Sequence, residues 1–244
     1  MPSVRWNRYW ARYGWPRDGE EWDGQARHCG QPYEAWKQAL LSDLVDGRIG
    51  PESVVLEIAP GHGRWTAELL ERSRRMILVD LNAECIEHCR ARFGDGLEYR
   101  VNDGRSLPDV GDESVDLVWS YDSFVHMEGD VIASYLSEIA RVLRPGGVAL
   151  LHHAGRRHSA LRLGVLARLG PPGKLLFRLV SMPWDTSGGG DGDRGCVSAE
   201  LVGGLAADVG LEVESQRDSW GPAGEFDCRR FGDVISTLVK PARG

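Results

Sequence analysis

Little in this sequence favours a membrane, a disulfide framework or a nucleic-acid surface. No apolar run approaches the roughly 20 residues that span a bilayer. Met1–Tyr13 lacks the apolar core of a secretory signal and is rich in Trp, Tyr and Arg instead. These two absences lead to the expectation of a cytoplasmic protein that does not engage membranes. Cysteine is sparse: Cys29, Cys85, Cys89, Cys196 and Cys228 are five in number and irregularly spaced, which argues against a disulfide scaffold. Cys85, His88 and Cys89 share one expected helix, but no second ligand pair follows at zinc-finger spacing, and helical cysteines usually serve as small buried hydrophobes. Positive charge is also short, with 29 Lys and Arg against 36 Asp and Glu and a net charge of −7. That balance counts against a nucleic-acid partner, because such a surface needs concentrated cations to displace counterions. The basic stretch Arg156, Arg157, His158, Arg162 and Arg168 reads as a solvated helix face. No internal repeat is present.

What remains is an ordinary globular composition, 42% hydrophobic and 27% charged, in a chain of 244 residues, enough for one packed domain with additions. Its front is aromatic. Trp6, Tyr9, Trp10 and Tyr13 recur at helical spacing, and Trp15, Trp22, Tyr33 and Trp36 follow. Residues 1–50 are therefore expected to form a helical lid that packs its rings onto a main domain, residues 51–244.

In that main domain, short apolar runs alternate with helical patterns. Val54–Ile58, Met76–Val79, Leu97–Val101, Val115–Ser120 and Val148–His152 read as strands, with Leu211–Gln216 and Phe231–Val239 as closing strands. Helices are expected over 64–72, from the N-cap Asn82 to about Arg92, over 130–143, and from the cap Ser198 to about Val209. Arg144-Pro145-Gly146-Gly147 marks the end of the third of these. The alternation predicts an α/β fold, a doubly wound and mostly parallel sheet. Residues 155–195 interrupt the rhythm and include Ser187-Gly188-Gly189-Gly190-Asp191-Gly192-Asp193; a stretch of this kind is expected to be a substrate lid.

The chemistry concentrates where strands end. Glu57-Ile58-Ala59-Pro60-Gly61-His62-Gly63-Arg64 places an acid at the end of the first strand, then two glycines that let the backbone turn beside a ligand. Thr66 stands where a dinucleotide fingerprint has its third glycine, which weakens the case for a pyrophosphate on the helix N-terminus. Asp80 ends the second strand, where a carboxylate accepts both hydroxyls of a ribose; by itself that suits NAD as well. Glu57 discriminates, because a carboxylate at this turn repels a pyrophosphate but tolerates a ligand carrying a sulfonium and an ammonium. Asp103 ends the third strand, placed to accept from an adenine amino group.

The pattern Glu57-x-Ala59-x-Gly61-x-Gly63, then Asp80, then Asp103-Gly104, resembles the cofactor signature of class I S-adenosylmethionine-dependent methyltransferases. The strand Ser114–Ser120 and the Arg144–Gly147 turn are similar to later motifs of that family. The resemblance implies a Rossmann-like sheet of seven strands with an antiparallel final strand, supplied by Phe231–Val239. It also implies S-adenosylmethionine as cofactor, with Gly61 and Gly63 bordering the methionine part, Asp80 on the ribose and Asp103 with Gly104 flanking the adenine. Glu57, Ala59, Leu81 and Ser120 complete the expected cofactor contacts.

Methyl transfer needs the donor and acceptor atoms close and in line. An oxygen acceptor usually needs a base as well, whereas a neutral amine attacks directly. Candidate catalytic residues follow the fourth and fifth strands: Asp122 and His126 after the fourth, His152 and His153 after the fifth. Alternation along a strand sends the two adjacent histidines to opposite faces, and His153, nearer the strand end, is the preferred base. His152, His153, Asp185, Asp191 and Asp193 do not make a diagnostic metal spacing, so no metal is expected. Gly30–Lys37 and Ser120–His126 look similar to bacterial small-molecule methyltransferases of secondary metabolism, which implies a sugar or aminosugar acceptor of the antibiotic type. Tyr33, Trp36, Trp184 and Asp185 are the expected substrate contacts, since aromatic faces stack on sugar rings. The alternatives are a methyltransferase acting on protein or RNA, and a non-catalytic cofactor-binding subunit.

Overall fold

The structure, a computed structural model, describes residue 26 and residues 30–155, 197–229 and 232–243. The expected stripe Trp6–Tyr13 and residues 156–195 of the expected insertion, Trp184 and Asp185 among them, lie outside these.

Five helices and nine strands follow one another in the described chain. They are α1 (Tyr33–Leu44), β1 (Val54–Ile58), α2 (Arg64–Leu70), β2 (Arg75–Asp80), α3 (Ala83–Phe93), β3 (Glu98–Val101) and β4 (Val115–Ser120), then α4 (Gly129–Val142), β5 (Leu143–Ala154), α5 (Ala199–Asp208), β6 (Glu212–Arg217), β7 (Ser219–Trp220), β8 (Phe226–Asp227) and β9 (Asp233–Val239). Seven strands form one sheet in the order β3-β2-β1-β4-β5-β9-β6, and β7 and β8 form a separate two-stranded ribbon. Neighbours from β3 to β5 are parallel; β9 runs antiparallel to both β5 and β6. This is the expected seven-stranded α/β sheet with an antiparallel last strand.

Each strand feeds two cores because its side chains alternate. Val54, Leu56 and Ile58 pack with Ile132, Leu136 and Ile139 of α4 and Val202 of α5. Val55 faces the other way, toward Trp36, Leu40 and Leu41 of α1, Leu69 of α2 and Ile86 of α3. Burying an aliphatic side chain of this kind contributes about 1.5–3 kcal/mol, so the short apolar runs suffice to hold the layers. Helix starts follow their caps. Asn82 Oδ1 accepts from Glu84 N at 3.0 Å, and Ser198 Oγ accepts from Leu201 N at 3.3 Å. Among the described residues no helix is long and apolar enough to cross a membrane.

Two features depart from the sequence-based expectation. β5 begins directly after α4, so Arg144-Pro145-Gly146-Gly147 lies within the strand rather than only ending the helix. This stretch is held by the chain after β9: Gly146 N donates to Lys240 O, and Lys240 N donates to Gly147 O. A Cβ on Gly147 would sit 2.9 Å from Arg144 O, so only glycine fits. The β7–β8 ribbon was not expected at all. Its Trp220 is buried, donating Nε1–H to Trp36 O at 3.0 Å and meeting the Trp36 ring edge-on at 5.0 Å.

Candidate active site

The order β2-β1-β4-β5 reverses direction between β1 and β4, and the carboxyl ends of these strands border the crevice where open α/β sheets bind ligands. After β1 the chain turns through three left-handed residues, Ala59 (φ 58°), Gly61 (φ 58°) and Gly63 (φ 85°). Alanine is unfavourable there by about 1–2 kcal/mol, and Ala59 N is anchored to Val79 O at 2.7 Å. Helix α3 clamps the turn from below. Arg92 Nη1 donates to His62 O at 2.7 Å, Cys89 Sγ to Gly61 O at 3.3 Å, and the His62 and His88 rings stack at 3.6 Å. A Cβ on Gly63 would stand 2.4 Å from the Phe93 ring, so the tight approach of turn and helix requires glycine.

Three carboxylates stand at the ends of adjacent strands. Glu57 is buried and accepts from Thr66 Oγ1 at 2.6 Å. The residue that replaces the third glycine thus holds the acid at the turn. Asp80 is also buried; its oxygens accept from Asn82 N at 2.8 Å and Gly61 N at 3.4 Å. Burial pushes its carboxyl up to about 6 despite these backbone bonds. Asn82 caps α3 with Oδ1, while its buried Nδ2 has no hydrogen-bond partner among the described residues. Asp103 is exposed. Desolvation raises its carboxyl, but bonds from Ser106 Oγ, Arg105 N and Ser106 N together outweigh it and hold the group below the ordinary value. Leu81 lies beside Gly104, whose φ is 79° and where a Cβ would meet the Leu81 side chain at 3.5 Å. Ser120 Oγ donates to Ile58 O at 2.9 Å and lies 2.7 Å from Ser123 Oγ, tying β4 to β1.

Beyond β4 the structure gathers a second polar cluster. Asp122 sits in the left-handed region at φ 66°. Its Oδ2 accepts from Arg64 Nη2 at 3.0 Å, and its Oδ1 lies 3.3 Å from His152 Nδ1. His152 Nε2 lies 3.7 Å from Asp233 Oδ2. The Tyr121 ring stacks on His152 at 4.1 Å and 8°, and the Arg64 guanidinium lies over the Trp65 ring at 5.1 Å. Burial alone raises the Asp122 carboxyl, but the hydrogen bonds and charges of His152 and Arg64 outweigh it and hold the group well below the usual carboxylate range.

The structure places His153, the expected base, and His152 on opposite faces of β5. Both are buried, but alternation sends His153 to the layer of α4 and α5. There its Nδ1 bonds Ala154 O at 2.8 Å and its Nε2 lies 2.7 Å from Ser236 Oγ. Burial pushes His153 down to about 4, so the ring is neutral near pH 7. His152 is the histidine brought to Asp122. His126 ends a 3₁₀ turn, Phe124–His126, and is half-buried. Tyr33 is half-buried too, but Trp36 is 1% exposed and wedged against Tyr121, Trp65 and Trp220, which makes it a core residue of the aromatic layer.

Sequence reasoning did not single out Arg64, Asn82 or Asp233 for these clusters, nor the contact of His152 with Asp122. Arg64 was readable in part, since a cation directly after Gly63 at a helix start opposes the helix dipole and calls for a compensating anion. Asp233 carried no signal, because its partner lies 81 positions away and meets it only through the β5–β9 pairing.

Comparison with known proteins agrees with this geometry. Residues 55–147 match the model of a family described as a methyltransferase domain. A Mycolicibacterium smegmatis protein described as "probable S-adenosylmethionine-dependent methyltransferase" is 30% identical over 190 residues, 77% of this chain and 64% of that protein. A fatty-acid O-methyltransferase of the same organism is 37% identical over 109 residues, 43% of this chain and 38% of that protein. The chain thus spans less than two thirds of the length of these relatives. Among solved structures, geranyl diphosphate C-methyltransferase from Streptomyces coelicolor A3(2), in complex with Mg2+, geranyl-S-thiolodiphosphate and S-adenosyl-L-homocysteine, shares the fold. Its TM-score is 0.63 at 16% identity, over 98% of both chains.

Proposed function

We propose, from the premise that this chain carries a class I S-adenosylmethionine-dependent methyltransferase domain, that it methylates oxygen or nitrogen of a small molecule. The acceptor we favour is a sugar or aminosugar of an antibiotic-type natural product. The observation that carries the cofactor side is the buried Asp80. Its carboxyl is pushed up to about 6 with only backbone donors beside it, the state of an acid that gains from further donors such as two ribose hydroxyls. Glu57 and Asp103 frame the same crevice with negative charge, which suits a ligand bearing a sulfonium, an ammonium and an adenine amino group. S-Adenosylmethionine supplies the methyl group, activated by its positive sulfur.

The residues of this chain contribute placement. Gly61 and Gly63 allow close backbone approach, and Ser120 holds the end of β4 against β1. Asp122 stays ionised and is therefore a weak base; in this reading its carboxylate accepts a hydrogen bond from a hydroxyl or ammonium of the acceptor. For an oxygen acceptor the proton goes to His126, half-buried on the turn that follows. Two of the proteins named above are named for a fatty acid and for geranyl diphosphate, so the aminosugar reading rests on the likeness of Gly30–Lys37 and Ser120–His126 to small-molecule methyltransferases and on the carboxylate of Asp122 beside Arg64. Trp184 and Asp185 remain assigned to the acceptor on sequence grounds alone.

The test is calorimetry with S-adenosylmethionine, then transfer of labelled methyl to a panel of aminosugars, neutral sugars, fatty acids and amino acids. Binding followed by turnover of an aminosugar supports the reading. Turnover of a fatty acid alone replaces the acceptor, and binding without turnover of any panel member favours a non-catalytic subunit. Absence of binding by folded protein overturns the reading altogether.

A further inference from the structure

The Arg64–Asp122–His152–Asp233 cluster contains two residues that the methyl-transfer scheme leaves unused, His152 and Asp233. Both have fully buried side chains, whereas that of Asp122 is 15% exposed and is the member that opens toward the crevice. His152 is close to Asp122 in two ways. Asp122 N–H donates to Nδ1 at 3.2 Å, and Asp122 Oδ1 lies 3.3 Å from the same nitrogen. One nitrogen satisfies only one of these contacts at a time. The neutral ring, with its proton on Nε2, accepts from the amide; the protonated ring donates to the carboxylate. Either way the ring stays tethered to Asp122, and Nε2 faces Asp233 across 3.7 Å.

The connection also has a direction. Asp233 opens β9, and its pairing partner across the strands is Ala154, two residues beyond His152 on β5. Asp122 lies just past the end of β4. The cluster therefore runs from β9 through β5 to the loop after β4, across three neighbouring strands. Asp122 needs such support, because a non-glycine residue at φ 66° persists only where its surroundings over-determine it. Tyr121, stacked on the His152 ring, and Arg64, bonded to Asp122 Oδ2, close the arrangement from the α1–α3 side. A buried ionic cluster is seldom the most stabilising filling for a core, which favours a specific positional role here.

We propose that His152 and Asp233 are positioning residues that form a buried strut holding Asp122 in its left-handed turn at the acceptor end of the sheet. The functional part of this inference rests on the reading that Asp122 faces the acceptor; the strut itself does not.

The experiment uses the whole chain with ¹⁵N-labelled histidine, with S-adenosylhomocysteine as probe of the cofactor site. In the native protein, the ring shifts of His152 report whether Nδ1 is bare or protonated, and the Asp122 amide, bonded to that nitrogen, should exchange slowly. D233N touches neither atom of the Asp122 amide bond, yet it should change the His152 shifts and speed Asp122 exchange about tenfold. H152F should speed it at least as much, and H152N, which keeps an oxygen near the Nδ1 position, should restore protection. Affinity for S-adenosylhomocysteine should stay within about twofold throughout, which separates a local effect from unfolding. If D233N leaves both the ring shifts and the Asp122 amide as they were, the strut does not exist. With an acceptor from the panel, a D122N/H152F double variant should turn over no more slowly than D122N. Additive losses in that pair would overturn transmission through Asp122. A D122N variant of wild-type rate would sink the acceptor-side reading of Asp122 while leaving the exchange result to judge the strut.

Discussion

Asp80 offers a perturbation whose sign and size follow from the structure. Burial raises its carboxyl from 3.8 to about 6. Two units correspond to about 3 kcal/mol of penalty on the ionised form in the folded state. The folded protein then holds this proton more tightly than the unfolded chain. The penalty is absent below about pH 4, grows as pH rises toward 6, and is complete above it. In D80N the charge is gone, although one of the two donors, Asn82 N or Gly61 N, now meets an amide group, a cost of about 1–3 kcal/mol independent of pH. The difference in unfolding free energy between D80N and wild type should therefore move in favour of the variant by about 3 kcal/mol between pH 4 and pH 7. His153 acts oppositely over much the same window. Its pKa is lowered from 6.5 to about 4, so stability is lost as pH falls through that range. The two nearly cancel in the wild-type profile, and only the difference between variants exposes either. Urea unfolding at closely spaced pH values, without cofactor, measures it. A difference that stays flat within about 1 kcal/mol from pH 4 to 7 would refute the reasoning. The same substitution should weaken S-adenosylhomocysteine binding at pH 8 by roughly tenfold or more, since hydrogen bonds to a charged acceptor contribute about 1.5–3 kcal/mol each.

Two further outcomes are expected. His153→Gln removes a buried titratable ring whose partners are Ala154 O and Ser236 Oγ, so the variant should resist acid below about pH 5 better than wild type while turnover stays within about twofold; a tenfold loss of turnover would return His153 to the chemistry. Gly63→Ala places a Cβ 2.4 Å from the Phe93 ring at φ 85° and should lower stability by about 2 kcal/mol or more, with loss of S-adenosylhomocysteine affinity; an unchanged thermal midpoint would show that the turn and α3 yield at no cost.

The sheet was legible because its signals are local. Val54–Ile58 and Met76–Asp80 are apolar runs that end at an acid or just before the Pro60-Gly61 break, and Asn82 and Ser198 cap their helices as their side chains dictate. The Arg144–Gly147 stretch was misjudged for the opposite reason. Proline and glycine signal a stop, and it is pairing with Lys240, nearly a hundred positions on, that makes the stretch part of a strand. An aromatic face such as that of Trp36 suits a sugar ring and a core equally well, and its packing against Trp220 is set by a residue 184 positions away.

Local order, charge and spacing were sufficient to specify strands, turns and an acid at each of three strand ends, because those depend on residues a few positions apart. Which histidine meets Asp122, where Arg64 finds its anion and how Asp233 joins them depend on the stacking of β4, β5 and β9. Such contacts arise only after distant segments are brought together and desolvated, and burial then decides both partners and protonation.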